Sequence, residues 1–264
     1  MTTATLSLNG SKTKFRLAGG AQPLILLPVH VNDRGPFEFI LDTGAGTSLL
    51  SNELAQQLEI KTIGSKEGQT AGGKISVSLA KADSFAVGET KLHDVDVGIV
   101  DLSQIANAIG AKIDGDLGYN FLKHFRVTIN YRDCELRLED PRRVESFAHG
   151  AQTEIPIRLA SPAKPLILVN VYANGGGPFE FAIDTGTSTT AITPDLVKQD
   201  LRAGLLQSFQ LGGAKIDNMP VVVADFFEML SAAVGAKLDG IVGYNFLRNY
   251  KVVIDYPGEN LQLF

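Results

Sequence analysis

The chain is short of several things, and each shortage removes a class of function. It has no tryptophan and a single cysteine, Cys134, among 264 residues. An internal disulfide is therefore impossible, and the paired-cysteine spacing of a structural zinc site is missing. The four histidines (His30, His93, His124 and His149) are scattered. They form no metal-ligand motif and read as surface or structural residues, so neither a metal nor a cofactor is expected. No basic run occurs, and 24 Lys+Arg against 29 Asp+Glu leave a formal charge of −5. Nucleic acid and membrane are therefore not expected partners. No apolar stretch approaches the ~20 residues of a membrane-spanning helix. The opening Met1-Thr2-Thr3-Ala4-Thr5-Leu6 has no charged region and no long apolar one, so it does not read as a signal peptide. The expectation is a cytoplasmic protein or the mature form of an exported one.

What is present is a repeat. Asp42-Thr43-Gly44 and Asp184-Thr185-Gly186 lie 142 positions apart (184 − 42). Gly35-Pro36-Phe37-Glu38-Phe39 leads into the first and Gly177-Pro178-Phe179-Glu180-Phe181 into the second. Upstream, Pro23-Leu24-Ile25-Leu26 matches Pro165-Leu166-Ile167-Leu168 at the same offset. Downstream, Ser84-Phe85 matches Ser208-Phe209 at an offset of 124 (208 − 84). Gly118-Tyr119-Asn120-Phe121-Leu122 matches Gly243-Tyr244-Asn245-Phe246-Leu247 at 125 (243 − 118). The period is too long for a solenoid. Two related units fit a chain of this length at about 150 residues per domain. We read lobes at 1–140 and 151–264, joined by a polar linker at 141–150.

The fall in offset means that the second copy lacks about 18 residues (142 − 124), roughly 62–80. In the first copy this stretch holds four glycines and then the alternating Ile75-Ser76-Val77-Ser78-Leu79. That pattern predicts a β-hairpin present in one lobe only. Apolar runs of strand length occur at 24–31, 37–41, 95–100, 127–131 and 252–256, so the chain should be mostly β. Short helices are expected after each tripeptide, with Ser51 and Thr193 as N-caps and Pro194 at the first helical position. Gly110 and Gly235 should stop two others. About two helical turns are expected at 119–124 and 244–250.

One Asp-Thr-Gly alone is ordinary material for an Asx turn. Two on aligned repeats can be brought face to face by a pseudo-twofold axis. Carboxylates about 3 Å apart repel by ~5 kcal/mol at an effective dielectric near 20. That separates their two ionisations by about four pKa units, so the pair keeps one proton between them. One Asp is then a base for a bound water and the other an acid for a carbonyl. Gly44 and Gly186 would allow close approach, and the Thr43 and Thr185 hydroxyls could brace the loops.

These motifs resemble the retropepsin and pepsin-like aspartic proteases. The pattern is Phe-hydrophobic-hydrophobic-Asp-Thr-Gly followed by Asp-Gly-x-hydrophobic-Gly, and it covers nearly the whole chain. The nearest resemblance is to bacterial retropepsin-like units, here two fused in tandem. The resemblance implies a bilobal aspartic-protease fold with pseudo-twofold symmetry and a central cleft. It implies an endopeptidase active as a monomer on peptide or protein substrates, with Asp42 and Asp184 as the catalytic pair. Gln69, Thr70, Ala71, Gly72 and Gly73 would form the tip of a single flap over the substrate. Asp116 and Ile241, each following the Asp-Gly of its copy, would line substrate pockets.

Two departures stand out. Thr187 follows the second tripeptide and can donate to Asp184, whereas Ala45 follows the first. Asp184 is thus expected to be the more acidic partner. Asp116 stands where a hydrophobic residue is usual; a carboxylate there could select a lysine or arginine side chain of a substrate, and the other reading is that it turns outward or caps the loop. A binding protein that kept the fold without catalysis is the alternative, although both tripeptides are intact.

Overall fold

The computed structural model describes residues 3–5, 10–70, 73–142, 150–197 and 204–264. The chain folds into two β-lobes carried on a shared sheet. In the first lobe Leu24–Val31 pairs antiparallel with Arg34–Leu41, Leu26 facing Ile40. In the second, Ile167–Ala173 pairs with Gly176–Ile183, Leu168 facing Ala182. These facing pairs keep the 142-residue offset, so the sequence repeat is also a repeat of register. Both Gly-Pro peptides, Gly35-Pro36 and Gly177-Pro178, are cis.

The cores repeat as well. Phe39 meets Phe85 edge-on at 5.6 Å between ring centres, and Phe181 meets Phe209 edge-on at 5.6 Å. All four rings are fully buried. Each contributes about 1.5–3 kcal/mol by leaving water, and each pair about 0.5–1.5 kcal/mol more.

A six-stranded sheet lies across both halves. Its order is Thr153–Pro156, Asn260–Leu263, Lys251–Asp255, Arg126–Asn130, Glu135–Glu139, Ser11–Lys14. The halves meet at its centre, where Thr128 faces Val253. A division at 140 and 151 separates the lobe sheets but runs through this third one. Residues 143–149 of the expected linker lie outside the described residues.

The added segment of the first copy is a hairpin, Thr62–Thr70 against Gly73–Val87, with Thr70 facing Gly73. The second lobe carries only the shorter pair Leu205–Leu211 and Ala214–Pro220 among the described residues. Ser51 caps Asn52–Gln57 by accepting from the Leu54 N–H at 3.1 Å. Gly110 and Gly235 end their helices at φ 64° and 73°, in the left-handed region that glycine enters without penalty.

The helices at Tyr119–Leu122 and Tyr244–Leu247 are one turn each, half the expected length. After them the backbone tightens: the Phe125 and Tyr250 N–H groups bond to carbonyls three residues back. Such bonding ends an α-helix early.

Candidate active site

Each Asp-Thr-Gly loop leaves the end of a buried strand, Arg34–Leu41 or Gly176–Ile183. A neighbouring parallel strand anchors it. The Asp42 N–H donates to the Leu117 carbonyl and the Asp184 N–H to the Val242 carbonyl, both at 3.1 Å. The threonines then cross. Thr43 Oγ1 donates to the Ile183 carbonyl at 2.9 Å and accepts from the Thr185 N–H at 3.1 Å. Thr185 Oγ1 donates to the Leu41 carbonyl at 2.7 Å and accepts from the Thr43 N–H at 3.1 Å. Four bonds between halves, all buried, thus fix one loop against the other.

Gly44 and Gly186 are required by proximity. A Cβ on Gly44 would stand 2.6 Å from Asp184 Cγ, and one on Gly186 would stand 2.6 Å from Asp42 Cγ. Each carboxyl therefore rests on the opposite loop's glycine.

This seating brings the Asp42 and Asp184 carboxyls together across the axis. Asp42 Oδ1 accepts from the Gly44 and Ala45 N–H groups at 2.7 and 3.0 Å. Asp184 Oδ1 accepts from the Gly186 N–H at 2.8 Å, and its Oδ2 from the Thr187 hydroxyl at 2.9 Å. Ala45 thus supplies by its backbone what Thr187 supplies by its side chain. Each carboxyl receives two donors, so donors alone do not rank their acidity. Burial, and then the Asp116 charge, push Asp42 up to about 8. Burial, and then the Asp42 charge, hold Asp184 well above the ordinary carboxyl range, with Thr187 opposing. The protons belong to the coupled group rather than to one residue.

Asp116 and Ile241 occupy equivalent places, each on a three-residue strand beside the loop, Gly115–Leu117 and Gly240–Val242. Asp116 sits opposite Ile40 on one side and Leu49 on the other, and Ile241 opposite Ala182 and Ala191. Both are 6% exposed. Asp116 turns onto Asp42, and burial first raises it to about 8.

Of the expected flap residues, Gln69 and Thr70 end one hairpin strand and Gly73 begins the next, while Ala71 and Gly72 lie outside the described residues. The strand Thr62–Thr70 runs beside the second half's helix Phe227–Val234.

Several contributors were not singled out from the sequence. Asn120 Oδ1 accepts from the Ser48 N–H and hydroxyl at 2.7 and 2.8 Å, and Asn245 Oδ1 from those of Thr190, both at 2.8 Å. These asparagines hold the far ends of the two loops, and their place in a repeated Gly-Tyr-Asn-Phe-Leu was the available signal. Tyr119 packs edge-on against Tyr256 at 5.5 Å, and Tyr244 against Tyr131 at 5.6 Å, each pair joining the halves. The Tyr131 and Tyr256 hydroxyls are buried without a hydrogen-bond partner. Burial, then a neighbouring tyrosine, then Asp184 or Asp42 keep these phenols protonated. The repeated Asp114 and Asp239 instead hold the backbone. They accept from the Glu38 and Glu180 N–H groups at 3.0 and 2.9 Å and pair with Lys112 and Lys237.

Residues 27–121 match the family model described as aspartyl protease. The chain is similar in structure to basic 7S globulin from soybean, with a TM-score of 0.63 and 8% identity, over 96% of this chain and 94% of that one. At that identity the likeness shows the fold, which is the bilobal β fold of pepsin-like proteins. No curated protein matches the sequence. The family match covers less than half of the chain, around the first Asp-Thr-Gly, and the fold likeness spans both halves. Among the described residues no helix is long and apolar enough to cross a membrane.

Proposed function

We propose that the protein is an aspartic-type endopeptidase in which Asp42 and Asp184 activate a water for attack on a peptide carbonyl. The observation that carries this reading is the seating of each carboxyl against the opposite loop's glycine, held by crossed threonines. A pair sharing one proton supplies a base and an acid at once. The charged partner takes a proton from the water. The protonated one gives its proton to the carbonyl oxygen, and the roles then reverse as the amine leaves. In this reading one chain supplies both halves, as a tandem fusion of two retropepsin-like units acting as a monomer. An extended peptide would lie between the lobes. The hairpin tip at Gln69, Thr70, Ala71, Gly72 and Gly73 would close over it, and Asp116 and Ile241 would line pockets beside the dyad.

The test is incubation of the protein and its Asp42→Asn variant with a diverse peptide pool from pH 3 to pH 8, cuts being read by mass spectrometry. Cleavage by the parent and not by the variant is the expected result. Enrichment of Lys or Arg next to the cut, lost in Asp116→Leu, would support a pocket role for Asp116.

The inward turn of Asp116 favours a second reading, a peptide- or protein-binding protein that holds an extended segment without cutting it. A buried acid on Asp42 removes the apolar character of a pocket beside the dyad. Peptide binding without cleavage at any pH would select this reading.

A further inference from the structure

Asp116 is the one acid in this region that breaks the symmetry of the two halves. The three-residue strand that carries it lies between Arg34–Leu41 and Leu49–Ser51, and Asp116 is buried there. Its Oδ1 is fully buried and meets no N–H or hydroxyl donor. The polar group beside the Asp116 side chain is the Asp42 carboxyl, whose residue is bonded through its N–H to the carbonyl of the adjacent Leu117. Two carboxylates cannot hydrogen-bond to each other unless one carries a proton. A buried carboxylate with neither a donor nor a counter-ion would be strongly disfavoured.

The charged groups acting on Asp116 and Asp42 are each other and Asp184. Leu49–Ser51, on the other side, brings no titratable residue. Tyr256 stands within electrostatic reach of Asp42, and Tyr131 of Asp184, both as neutral phenols. In the second half the equivalent place is held by Ile241, which has no proton to share.

We infer that Asp116 is a positioning residue for the dyad, holding Asp42 through a shared proton, so that the site is a cluster of three carboxyls. Such a cluster retains two protons where a dyad retains one, one between Asp42 and Asp184 and one between Asp42 and Asp116. Asp42 is kept in place by its neighbour in its own half as well as by its partner across the axis. A basic substrate side chain would have to displace Asp42 from Asp116 to bind there. The kinetic consequence rests on the endopeptidase reading. The protonation itself does not.

The experiment follows the aspartate carboxyls by ¹³C NMR across a pH titration of the parent, Asp116→Asn and Asp116→Leu. The parent should show cluster carboxyls still titrating above neutrality. Asp116→Leu should remove one of them and move the Asp42 transition acidward by at least one pH unit. Asp116→Asn keeps the shape, and its amide can donate to a charged Asp42, so it should move the transition at least as far. If the parent cleaves peptides, the upper limb of its kcat/KM profile should move acidward by about the same amount in both variants. An Asp42 transition unmoved in Asp116→Asn would overturn the inference, even if Asp116→Leu misfolds. A moved transition in a parent that cuts nothing would leave the cluster standing and remove the endopeptidase reading.

Discussion

The two halves agree in almost everything that builds the site and differ in what surrounds it. Both supply an Asp-Thr-Gly loop, a parallel strand that anchors it, an asparagine behind it and an edge-on phenylalanine pair beneath it. Among the described residues, only the first carries the long hairpin and a third carboxyl, and only the second has a hydroxyl donating to its Asp. The shared features are those that need two matched partners, such as crossed threonines and glycines facing the opposite carboxyl. The unshared ones need only one copy. A homodimer could not separate the two sets, because each change would appear twice. Two copies of Asp116 would crowd four carboxyls around one water site.

This comparison can be broken most severely at its symmetric part. Asp42→Asn or Asp184→Asn should lower kcat by roughly 10²–10⁴-fold, in line with loss of general acid–base catalysis, while circular dichroism and the thermal midpoint stay close to the parent's. Near-equal losses are expected, because neither half acts alone.

Next come the threonines. Thr43→Val and Thr185→Val each remove a hydroxyl that donates to a carbonyl and accepts from an N–H of the other half. Leaving those groups buried without a partner should cost about 1–3 kcal/mol per variant in denaturant unfolding. The double variant should lose less than the sum, since each hydroxyl serves the same junction.

The asymmetric acid should show itself in the pH dependence of stability. Asp42 and Asp116 are raised from 3.8 to about 8 in the folded protein. The folded state therefore binds more protons than the unfolded one between those values. Their contribution is complete below about pH 4 and is lost as pH rises toward 8. Asp116→Leu should flatten that loss and stabilise the protein above pH 8 by about 1–3 kcal/mol, as replacement of a buried charge by an apolar side chain can. Thermal midpoints across pH 4–9 would show a crossing of parent and variant curves.

The smallest effect is at the residue after each tripeptide. Thr187→Ala makes the second loop like the first and removes one donor from Asp184. It should raise the Asp184 transition by less than one pH unit and change kcat/KM severalfold at most, measurable as a small shift in the pH profile.

Much of this could be read in advance, for local reasons. The run 24–31 is a strand because nearly every side chain on it is apolar, and it is buried on both faces. The hairpin was legible as a change of offset. The tripeptides were legible as a pair because their context repeats. What escaped was set by distant partners. Asp116 could be placed beside the dyad, but which neighbour its carboxyl meets depends on how two strands register around it. The tyrosine pairs join residues 137 apart (256 − 119) and 113 apart (244 − 131), a pairing that no local pattern displays. The repeated Asp114 and Asp239 belong to the same set, since each ties down the backbone of a distant strand.

The six-stranded sheet bears on how such a molecule is assembled. Its centre is an edge offered by each half to the other, Arg126–Asn130 to Lys251–Asp255. Made separately, the halves would have to find one another by diffusion, and either edge would be open to other strands in the meantime. Joined in one chain, the edges meet at an effective concentration on the order of millimolar, whatever the amount of protein present. The pairing of unlike halves is then guaranteed by stoichiometry, and self-pairing of like halves is outcompeted. That guarantee lets a hairpin and an extra acid be carried once.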